Sequence, residues 1–320
     1  FSMILVTGAT GFIGRALIRQ LAAQGQSVRT LLRPSRSTPR LPQGLPVEAT
    51  VCSLNDERGL RAALKGVDVI YHLAWQEWRG RSGDTWGVDI QGTKAIAGAA
   101  AEARVKRFFY ISHLGANRAS AFNLQKIKGI AEKHIIDSGV NYTILRSAVV
   151  FGPEDHFTTS LARLLRLSPG FFPFPGDGGT LLQPIWVEDL VTCLIWALDN
   201  AATEGQIIPV GGPQQLSLHE IASLVAQTIH TRRLFFSIPL PAMRVLAATF
   251  EQFLPGLPVS ANWVELLSVD QTCPVDTLPR LFGLIPALMD QRLGYLKGQN
   301  WHDNWFKLFL SREKTKPYGK

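Results

Sequence analysis

The chain has 320 residues, of which 46% are hydrophobic and 18% are charged, and its formal net charge is +8. This composition is typical of a folded globular protein and excludes an intrinsically disordered one, and the length suits one large domain with a smaller appendage. The positive charge favours contact with phosphates, nucleic acid or an anionic membrane, while a basic surface that maintains solubility explains it equally well.

The first predicted unit is a strand, a glycine-rich turn and a helix. An apolar run at residues 3–6 is followed by Gly8, Gly11 and Gly14, and apolar residues recur at helical spacing over residues 12–21. Gly8 permits a tight turn, Gly11 lets backbone amides approach a pyrophosphate, and Gly14 lets the helix pack close to the strand. The positive end of the helix then faces the phosphates. The pattern predicts a dinucleotide-binding unit, with an ordinary turn as the alternative.

Short β-rich runs alternate with helical stretches as far as residue 146. The predicted strands cover residues 27–32, 47–51, 67–73, 107–112 and 142–146, and the predicted helices cover residues 57–65, 84–103 and 118–138. This alternation predicts an α/β fold, a Rossmann-like doubly wound parallel sheet with its ligand at the carboxyl ends of the strands.

The pattern changes in the second half of the chain. Prolines and glycines over residues 168–179 predict a long binding loop, and beyond residue 232 the strand–helix alternation is lost. We expect an NADP-binding domain over residues 3–228, with residues 151–180 on its substrate side, and a smaller helical or irregular region over residues 229–320.

Cysteine usage and hydropathy set the expected compartment. Cys52, Cys193 and Cys273 are widely separated and form neither a metal-binding pattern nor a disulfide framework. No apolar run reaches the roughly 20 residues that span a bilayer, and no secretory signal is recognisable. We expect a cytoplasmic protein without a metal site.

Several motifs occur in a characteristic order. They are the glycine loop 7–14, the segment 66–74 (GVDVIYHLA), the Gly-Thr pair 92–93, the strand 107–112, the pair 145–146 with FGP at 151–153, VED at 187–189 and VGGP at 210–213. On these motifs the chain resembles the extended or atypical short-chain dehydrogenase/reductase superfamily, which includes NAD-dependent epimerases and dehydratases, over residues 3–228. Segments 266–271 (LLSVDQ) and 282–286 (FGLIP) are similar to the branch that includes the 39 kDa accessory subunit of respiratory complex I.

The resemblance implies a catalytic Ser or Thr and a Tyr-x-x-x-Lys pair on one helix. In the family the tyrosine transfers a proton, while the lysine lowers the tyrosine pKa and holds the nicotinamide ribose. The matching segment is 122–126 (FNLQK), so Phe122 replaces the tyrosine and Lys126 provides the lysine. Leu114 stands at the hydroxyl position. We therefore expect an intact cofactor half of the site and an altered acid–base half.

Other groups are candidates for the missing proton donor. Lys126 itself and His113, at the carboxyl end of its strand, are the first two, and His156 lies where the family places substrate-side residues. A structural role is the alternative for each histidine. Tyr110 and Tyr142 are expected to have ordinary roles in the core. Lys128 and Lys133 are expected to be solvated.

The end of the second strand favours NADP(H) over NAD(H). NAD-binding members usually have an acidic residue there, whereas this chain has Arg33 and Arg36, whose planar guanidinium groups suit a 2′-phosphate. A solvated basic loop is the alternative. Ser53-Leu54 replaces the Asp-Leu pair that holds the adenine amine in the family. The complete set of expected cofactor contacts is Gly8, Thr10, Gly11, Phe12, Ile13, Gly14, Arg33, Arg36, Ser53, Leu54, Leu73, Ala74, Lys126 and Val149.

Three classes of function remain. The chain is a reductase or epimerase-like enzyme acting through Lys126 or His113, an NADP(H)-binding structural or assembly subunit, or a regulator that senses the NADPH/NADP ratio. Phe122 favours the second and third classes. Trp301, Trp305 and Leu308 recur at helical spacing before a basic tail, which predicts a protein partner or peripheral membrane contact through residues 300–320, unless this stripe packs on its own domain. No nucleic acid partner is expected.

Overall fold

The computed structural model describes residues 2–35, 41–42, 44–76, 84–253 and 261–299. The expected contact of Arg36 and the interfacial helix predicted at residues 300–320 lie outside the described residues.

The first half of the chain alternates strands and helices, and the predicted α/β fold class is confirmed. The strands are β1 (Met3–Thr7), β2 (Ser27–Leu32), β3 (Val47–Val51), β4 (Val67–His72), β5 (Arg107–His113) and β6 (Tyr142–Ser147). The helices are α1 (Phe12–Ala23), α2 (Glu57–Ala63), α3 (Thr93–Glu102) and α4 (Asn123–Asp137), with a π-helix at Thr85–Gly92 directly before α3.

The second half forms shorter elements. Its strands are β7 (Val150–Phe151), β8 (Phe171–Pro175), β9 (Leu181–Leu182), β10 (Ile185–Trp186), β11 (Gln206–Val210), β12 (Leu216–Ser217) and β13 (Leu234–Ile238). Its α-helices are α5 (Thr158–Leu167), α6 (Val187–Asp199), α7 (Leu218–Thr228), α8 (Leu240–Phe253), α9 (Ala261–Leu266), α10 (Thr277–Phe282) and α11 (Met289–Arg292). Among the residues that the structure describes, no helix combines the length and the apolar character needed to cross a membrane.

A seven-stranded sheet in the order β11-β6-β5-β4-β1-β2-β3 organises the molecule, and all its pairs are parallel. The chain reverses its direction of winding between β1 and β4. In an open α/β sheet, such a switch point opens a crevice at the carboxyl ends of the strands, where ligands bind. The fold therefore brings the ends of β1, β2, β4 and β5 to one edge.

Two large apolar clusters fill the interior. The first lies between the sheet and helices α1 and α6, and it also contains Leu278 of α10. The second lies around α5, α7 and β8, and it includes Leu293 and Leu296 from the end of the described chain. A third cluster packs α2, α3 and α4 against the opposite face of the sheet.

The structure corrects two local predictions. The helix predicted over residues 118–138 begins only at Asn123, after a turn in which the Ser120 hydroxyl accepts the Phe122 amide. The long loop predicted over residues 168–179 contains strand β8, which pairs in parallel with β13. Proline is tolerated at the edge of such a sheet, so Pro173 and Pro175 did not exclude a strand.

Candidate functional site

The glycine turn after β1 leaves no room for side chains. Gly8 has a φ of +70°, and a Cβ atom there would lie 2.3 Å from the carbonyl oxygen of Leu73. A Cβ atom on Gly14 would lie 2.2 Å from the carbonyl oxygen of Gly8, while the Gly11 amide donates to that oxygen over 2.9 Å. The turn therefore packs backbone directly against the end of β4 and the first turn of α1.

The N-terminus of α1 is open toward the crevice. Within the described part of the chain, no side chain caps this helix, whose N-cap residue is Gly11. Thr10 and Gly11 are exposed, and Phe12 and Ile13 are half-buried. Uncapped amides at a helix N-terminus attract anions, so this end of α1 suits a pyrophosphate.

An ion pair spans the outer side of the glycine turn. The Arg15 guanidinium donates to the Thr10 carbonyl oxygen over 2.9 Å and to the Glu154 carboxylate over 2.5 Å. Glu154 belongs to the turn after β7 that the sequence placed on the substrate side. Arg15 therefore connects the glycine turn after β1 to the turn after β7.

The side chains of Thr7, His72 and Thr93 form a buried hydrogen-bonded series next to the glycine turn. The sequence did not predict it. Thr7 Oγ1 lies 2.7 Å from His72 Nδ1, and His72 Nε2 lies 2.9 Å from Thr93 Oγ1. Thr7 Oγ1 also accepts the amides of Leu73 and Ala74 over 3.2 Å each. Because two amides occupy its lone pairs, the Thr7 hydroxyl donates to Nδ1, which leaves the His72 proton on Nε2.

The electrostatics of His72 agree with this arrangement. Burial, with a smaller contribution from the nearby Lys128 charge, lowers the pKa of His72 to about 3. The imidazole is therefore neutral at physiological pH and serves as a fixed hydrogen-bonding spacer between β1, β4 and α3.

The lysines on α4 differ in environment, and the expectation that Lys128 is solvated is wrong. Lys126 is exposed on the outer side of the helix, whereas Lys128 is buried against the end of β5. Lys128 Nζ donates to the carbonyl oxygen of Ile111 over 2.8 Å. It lies 3.4 Å from the centre of the Trp75 ring and 4.7 Å from the centre of the Tyr110 ring. Lys128, and not Lys126, thus lies against the carboxyl end of β5.

The positions of the buried residues around α4 explain why Lys128 is buried and Lys126 is exposed. Leu124, Ile127, Ala131 and Ile135 are buried at helical spacing and pack toward the sheet, and Lys128 lies on the same side. The residue one turn before Lys128 is Leu124. Lys133, on the other side, pairs with Asp137 in solvent, as expected.

Phe122 lies just outside the helix. It is the N-cap residue of α4, and its half-buried ring lies 5.8 Å from the guanidinium carbon of Arg244 on α8. Its ring therefore faces Arg244 in the second half of the chain, while its carbonyl oxygen accepts the Lys126 amide.

The other proposed catalytic residues occupy different positions. His113 is half-buried at the end of β5, with its ring centre 6.3 Å from that of Trp75. His156 is exposed, and Leu114 is buried in a small cluster with Ala148 and Cys273. The Ser112 hydroxyl, on the strand beside Lys128's acceptor, is buried and has no hydrogen-bond partner among the described residues.

The remaining cofactor-side residues surround the same edge. Arg33 is exposed directly after β2, and the Ser53 hydroxyl accepts the Asn55 amide after β3. Leu54 packs so closely against the π-helix that a Cβ atom on Gly92 would lie 2.9 Å from its side chain. Val149 is buried in the second cluster, and its carbonyl oxygen accepts the Ile185 amide.

An ion pair between a buried glutamate and a half-buried arginine fixes α4 to the sheet. Arg146 on β6 donates from Nε and Nη2 to both carboxylate oxygens of Glu132 over 3.0 and 2.6 Å. The hydrogen bonds to the Glu132 carboxylate raise the pKa of Arg146. This bidentate contact holds the helix one turn beyond Lys128.

Comparison with known proteins agrees with the geometry. A family model described as NAD(P)H-binding matches residues 8–160. Sterol demethylase protein B of Methylococcus capsulatus is 32% identical over 88% of this chain and 93% of its own length. Subunit 9 of the mitochondrial NADH dehydrogenase 1 alpha subcomplex of Arabidopsis thaliana is 27% identical over 83% of this chain and 67% of its own length. The structure of an Escherichia coli NADPH-dependent quinone oxidoreductase superposes with a TM-score of 0.71 at 20% identity, covering 92% of this chain and 99% of that one.

The parallel sheet, its switch point and the glycine cradle thus define a Rossmann-type NAD(P)H-binding protein. The chain belongs to the extended or atypical short-chain dehydrogenase/reductase superfamily, and its homologues at moderate identity include the complex I subunit named above.

Proposed function

We propose that this protein binds NADP(H) and serves as a structural, assembly or regulatory protein without the tyrosine-dependent dehydrogenase reaction. One observation carries the proposal: the residue four positions before the buried Lys128 is Leu124, and the residue four positions before Lys126 is Phe122. Neither side chain has a proton to transfer. The relatives include a complex I subunit and a photosystem II assembly factor, which supports a role in a larger assembly.

The residues at the crevice fit a dinucleotide. Backbone amides of the glycine turn and of α1 would hold the pyrophosphate, and a Cβ atom on Gly8 or Gly14 would clash with backbone and displace that turn. Lys128 and the buried Ser112 hydroxyl are the polar groups nearest the expected nicotinamide end. The nicotinamide, when bound, supplies or accepts a hydride.

The preference for NADP(H) rests on Arg33. Its exposed guanidinium follows β2, where an acidic residue would bind the ribose hydroxyls of NAD. A 2′-phosphate carries negative charge and three acceptor oxygens, so an arginine there favours the phosphorylated cofactor. Arg36 is proposed to assist.

A second candidate function is an NADPH-dependent reductase. Lys128 lies at the carboxyl ends of β4 and β5, with His113 close to the same indole ring, so either group could deliver a proton to a carbonyl oxygen. The names of two similar proteins, a sterol demethylase component and a quinone oxidoreductase, make apolar ketones and quinones the substrates to try.

One experiment separates the two functions. Purified protein is assayed for bound NADPH, and NADPH oxidation is then followed with ketosteroids and quinones. We expect stoichiometric nucleotide binding with no turnover above the uncatalysed rate. Restoring a hydroxyl by Leu124→Tyr should raise any residual rate, since general acid help contributes about 10²–10⁴-fold, whereas Phe122→Tyr should not. Wild-type turnover that disappears in both Lys128→Met and His113→Gln would establish the reductase.

We also propose a cytoplasmic location, with contact to a protein or membrane. The free cysteines, which are buried in the structure, support the location. The relatives named as a complex I subunit and an assembly factor support contact with a partner.

A further inference from the structure

The two-stranded sheet formed by β8 and β13 has apolar side chains on both faces. Phe172, Phe174 and Phe235 point inward and pack in or against the second cluster. On the opposite face, Phe171, Leu234 and Phe236 are 58%, 67% and 44% exposed. These three residues are called the aromatic face below.

The members of the aromatic face are neighbours. Leu234 pairs directly with Phe171, and Phe236 pairs with Pro173, two residues further along the sheet. Residues two apart on a strand share a face, so the exposed side chains form one continuous patch. A sheet face in water normally carries polar side chains, and adjacent large apolar residues on a surface mark a binding site.

Two segments around the sheet are rich in arginine, and acidic residues, among them the exposed Asp177 two residues after β8, border them. Residues 156–176 and 221–250, which include β8 and β13, contain five arginines and two histidines but no Asp, Glu or Lys. Arg233 donates to the carbonyl oxygen of Leu165 and to the Ser168 hydroxyl, which holds it beside the start of β8. Arg232, next to it, is exposed. The end of the sheet where Phe171 and Leu234 meet therefore carries positive charge from Arg232 and Arg233, while Asp177 lies beyond the opposite end of β8.

Helix α8 follows β13 and lies next to β8. This helix begins two residues after β13, and its Val245 is 68% exposed while Met243 and Ala247 face inward. The neighbouring Arg244 lies over the ring of Phe122, which precedes the helix that carries Lys128. The aromatic face is thus linked through α8 to the helix that borders the nucleotide crevice.

We propose that the aromatic face and the exposed side of α8 bind an anionic lipid bilayer, with the apolar side chains inserted between lipid headgroups and Arg232 on their phosphates. A bilayer requires only apolar insertion and positive charge. The arginines of these segments carry charge of one sign, which matches the uniformly negative phosphates of an anionic bilayer. The proposal depends neither on nucleotide binding nor on residues 300–320.

Vesicle sedimentation with the full-length protein tests this proposal. Vesicles of phosphatidylcholine alone are compared with vesicles that also contain phosphatidylglycerol, at low and high salt. We expect binding to the anionic vesicles that weakens as salt rises. The double variant Leu234→Ser/Phe236→Ser should bind about tenfold more weakly or worse, because two apolar side chains no longer insert.

Matched variants make the result specific. Ile136→Ser/Trp196→Ser removes two exposed apolar side chains elsewhere and should bind like the wild type. Arg232→Glu should abolish the preference for anionic vesicles, whereas Arg280→Glu, at an exposed site on α10, should retain it. Circular dichroism checks that every variant is folded.

Three outcomes would overturn the proposal. The first is a folded wild type that binds neither vesicle. The second is binding that the aromatic-face variants leave unchanged. The third is binding that a version ending at Gln299 loses while Leu234→Ser/Phe236→Ser keeps it, which would assign the membrane contact to residues 300–320. A wild type that does not bind vesicles but forms a stable complex with a protein through this face would point to a protein partner instead.

Discussion

The ammonium group of Lys128 lies 3.4 Å from the centre of the Trp75 indole ring and donates a hydrogen bond to the carbonyl oxygen of Ile111. An ammonium ion loses most of its water when it is buried, and the negative face of an aromatic ring replaces part of that hydration. A desolvated cation–π contact is worth about 2 kcal/mol. Trp75, at the end of β4, thereby keeps a charged group in place at the edge where ligands bind.

Replacing Lys128 should weaken nucleotide binding, whereas replacing Lys126 should not. Lys128→Met removes the only ammonium that we place near the nicotinamide ribose, and a charge-assisted hydrogen bond is worth roughly 1.5–3 kcal/mol. We expect NADPH to bind about tenfold or more weakly, measured by calorimetry. Lys126→Met is the matched control because that side chain is exposed on the same helix. The reverse result would restore the lysine assignment made from the sequence.

Replacing Arg33 should reduce the preference for NADPH over NADH. Arg33→Ala removes the proposed contact with the 2′-phosphate, worth roughly 1.5–3 kcal/mol, and leaves the pyrophosphate site intact. Calorimetry should show weaker NADPH binding and unchanged NADH binding. Arg280→Ala, which changes the net charge equally at a distant exposed site, should alter neither. Equal affinity of the wild type for the two nucleotides would contradict the role of Arg33.

Replacement by alanine should have opposite effects on stability at Gly14 and at Gly98, which both lie in α-helices. At Gly14 a Cβ atom would lie 2.2 Å from the backbone oxygen of Gly8, so the turn must shift, and overpacking of this kind costs about 1–3 kcal/mol. At Gly98, in α3, a Cβ atom meets nothing within 4 Å. Gly98→Ala should therefore stabilise the protein by about 0.5–1 kcal/mol. Urea unfolding measures the free energy of unfolding of both variants. A destabilised Gly98→Ala would show that the space around this glycine is not open.

The buried His72 should make stability depend on pH. Its pKa falls from 6.5 to about 3 on folding, so between these values the unfolded chain binds more protons. Its contribution is complete above pH 6.5 and is lost progressively as the pH falls toward 3, by up to about 1.4 kcal/mol per pH unit. The free energy of unfolding is measured from pH 7.5 to pH 5 for the wild type and for His72→Gln. The variant should lose stability more slowly on acidification, and parallel curves would show that His72 is not buried neutral.

The sequence predicted the sheet well because each central strand is a nearly unbroken apolar run. Parallel strands are covered on both faces, so β4 and β5 need apolar residues at successive positions, and the helices between them show a different period. The glycine positions predicted the turn equally well. Backbone atoms pack against Gly8 and Gly14 so closely that no other residue fits there.

The sequence did not reveal which of the two lysines, Lys126 or Lys128, faces the sheet. Both Phe122–Lys126 and Leu124–Lys128 have an apolar residue four positions before a lysine, so spacing alone could not distinguish them. The apolar period of Leu124, Ile127, Ala131 and Ile135 would have placed Lys128 on the inner face. The strand at Phe171–Pro175 was missed for a different reason, because its partner Leu234–Ile238 is distant in sequence.

The packing of Leu278 affects the order in which the chain can mature. This residue lies in the same cluster as the first strand and first helix, and Asn200 at the end of α6 donates to the carbonyl oxygen of Leu281. During translation, the core around the first strand therefore stays incomplete until α10 emerges from the ribosome. The nascent chain exposes apolar surface for most of its synthesis, so a premature stop codon before Leu278 would yield an aggregation-prone fragment that depends on chaperones.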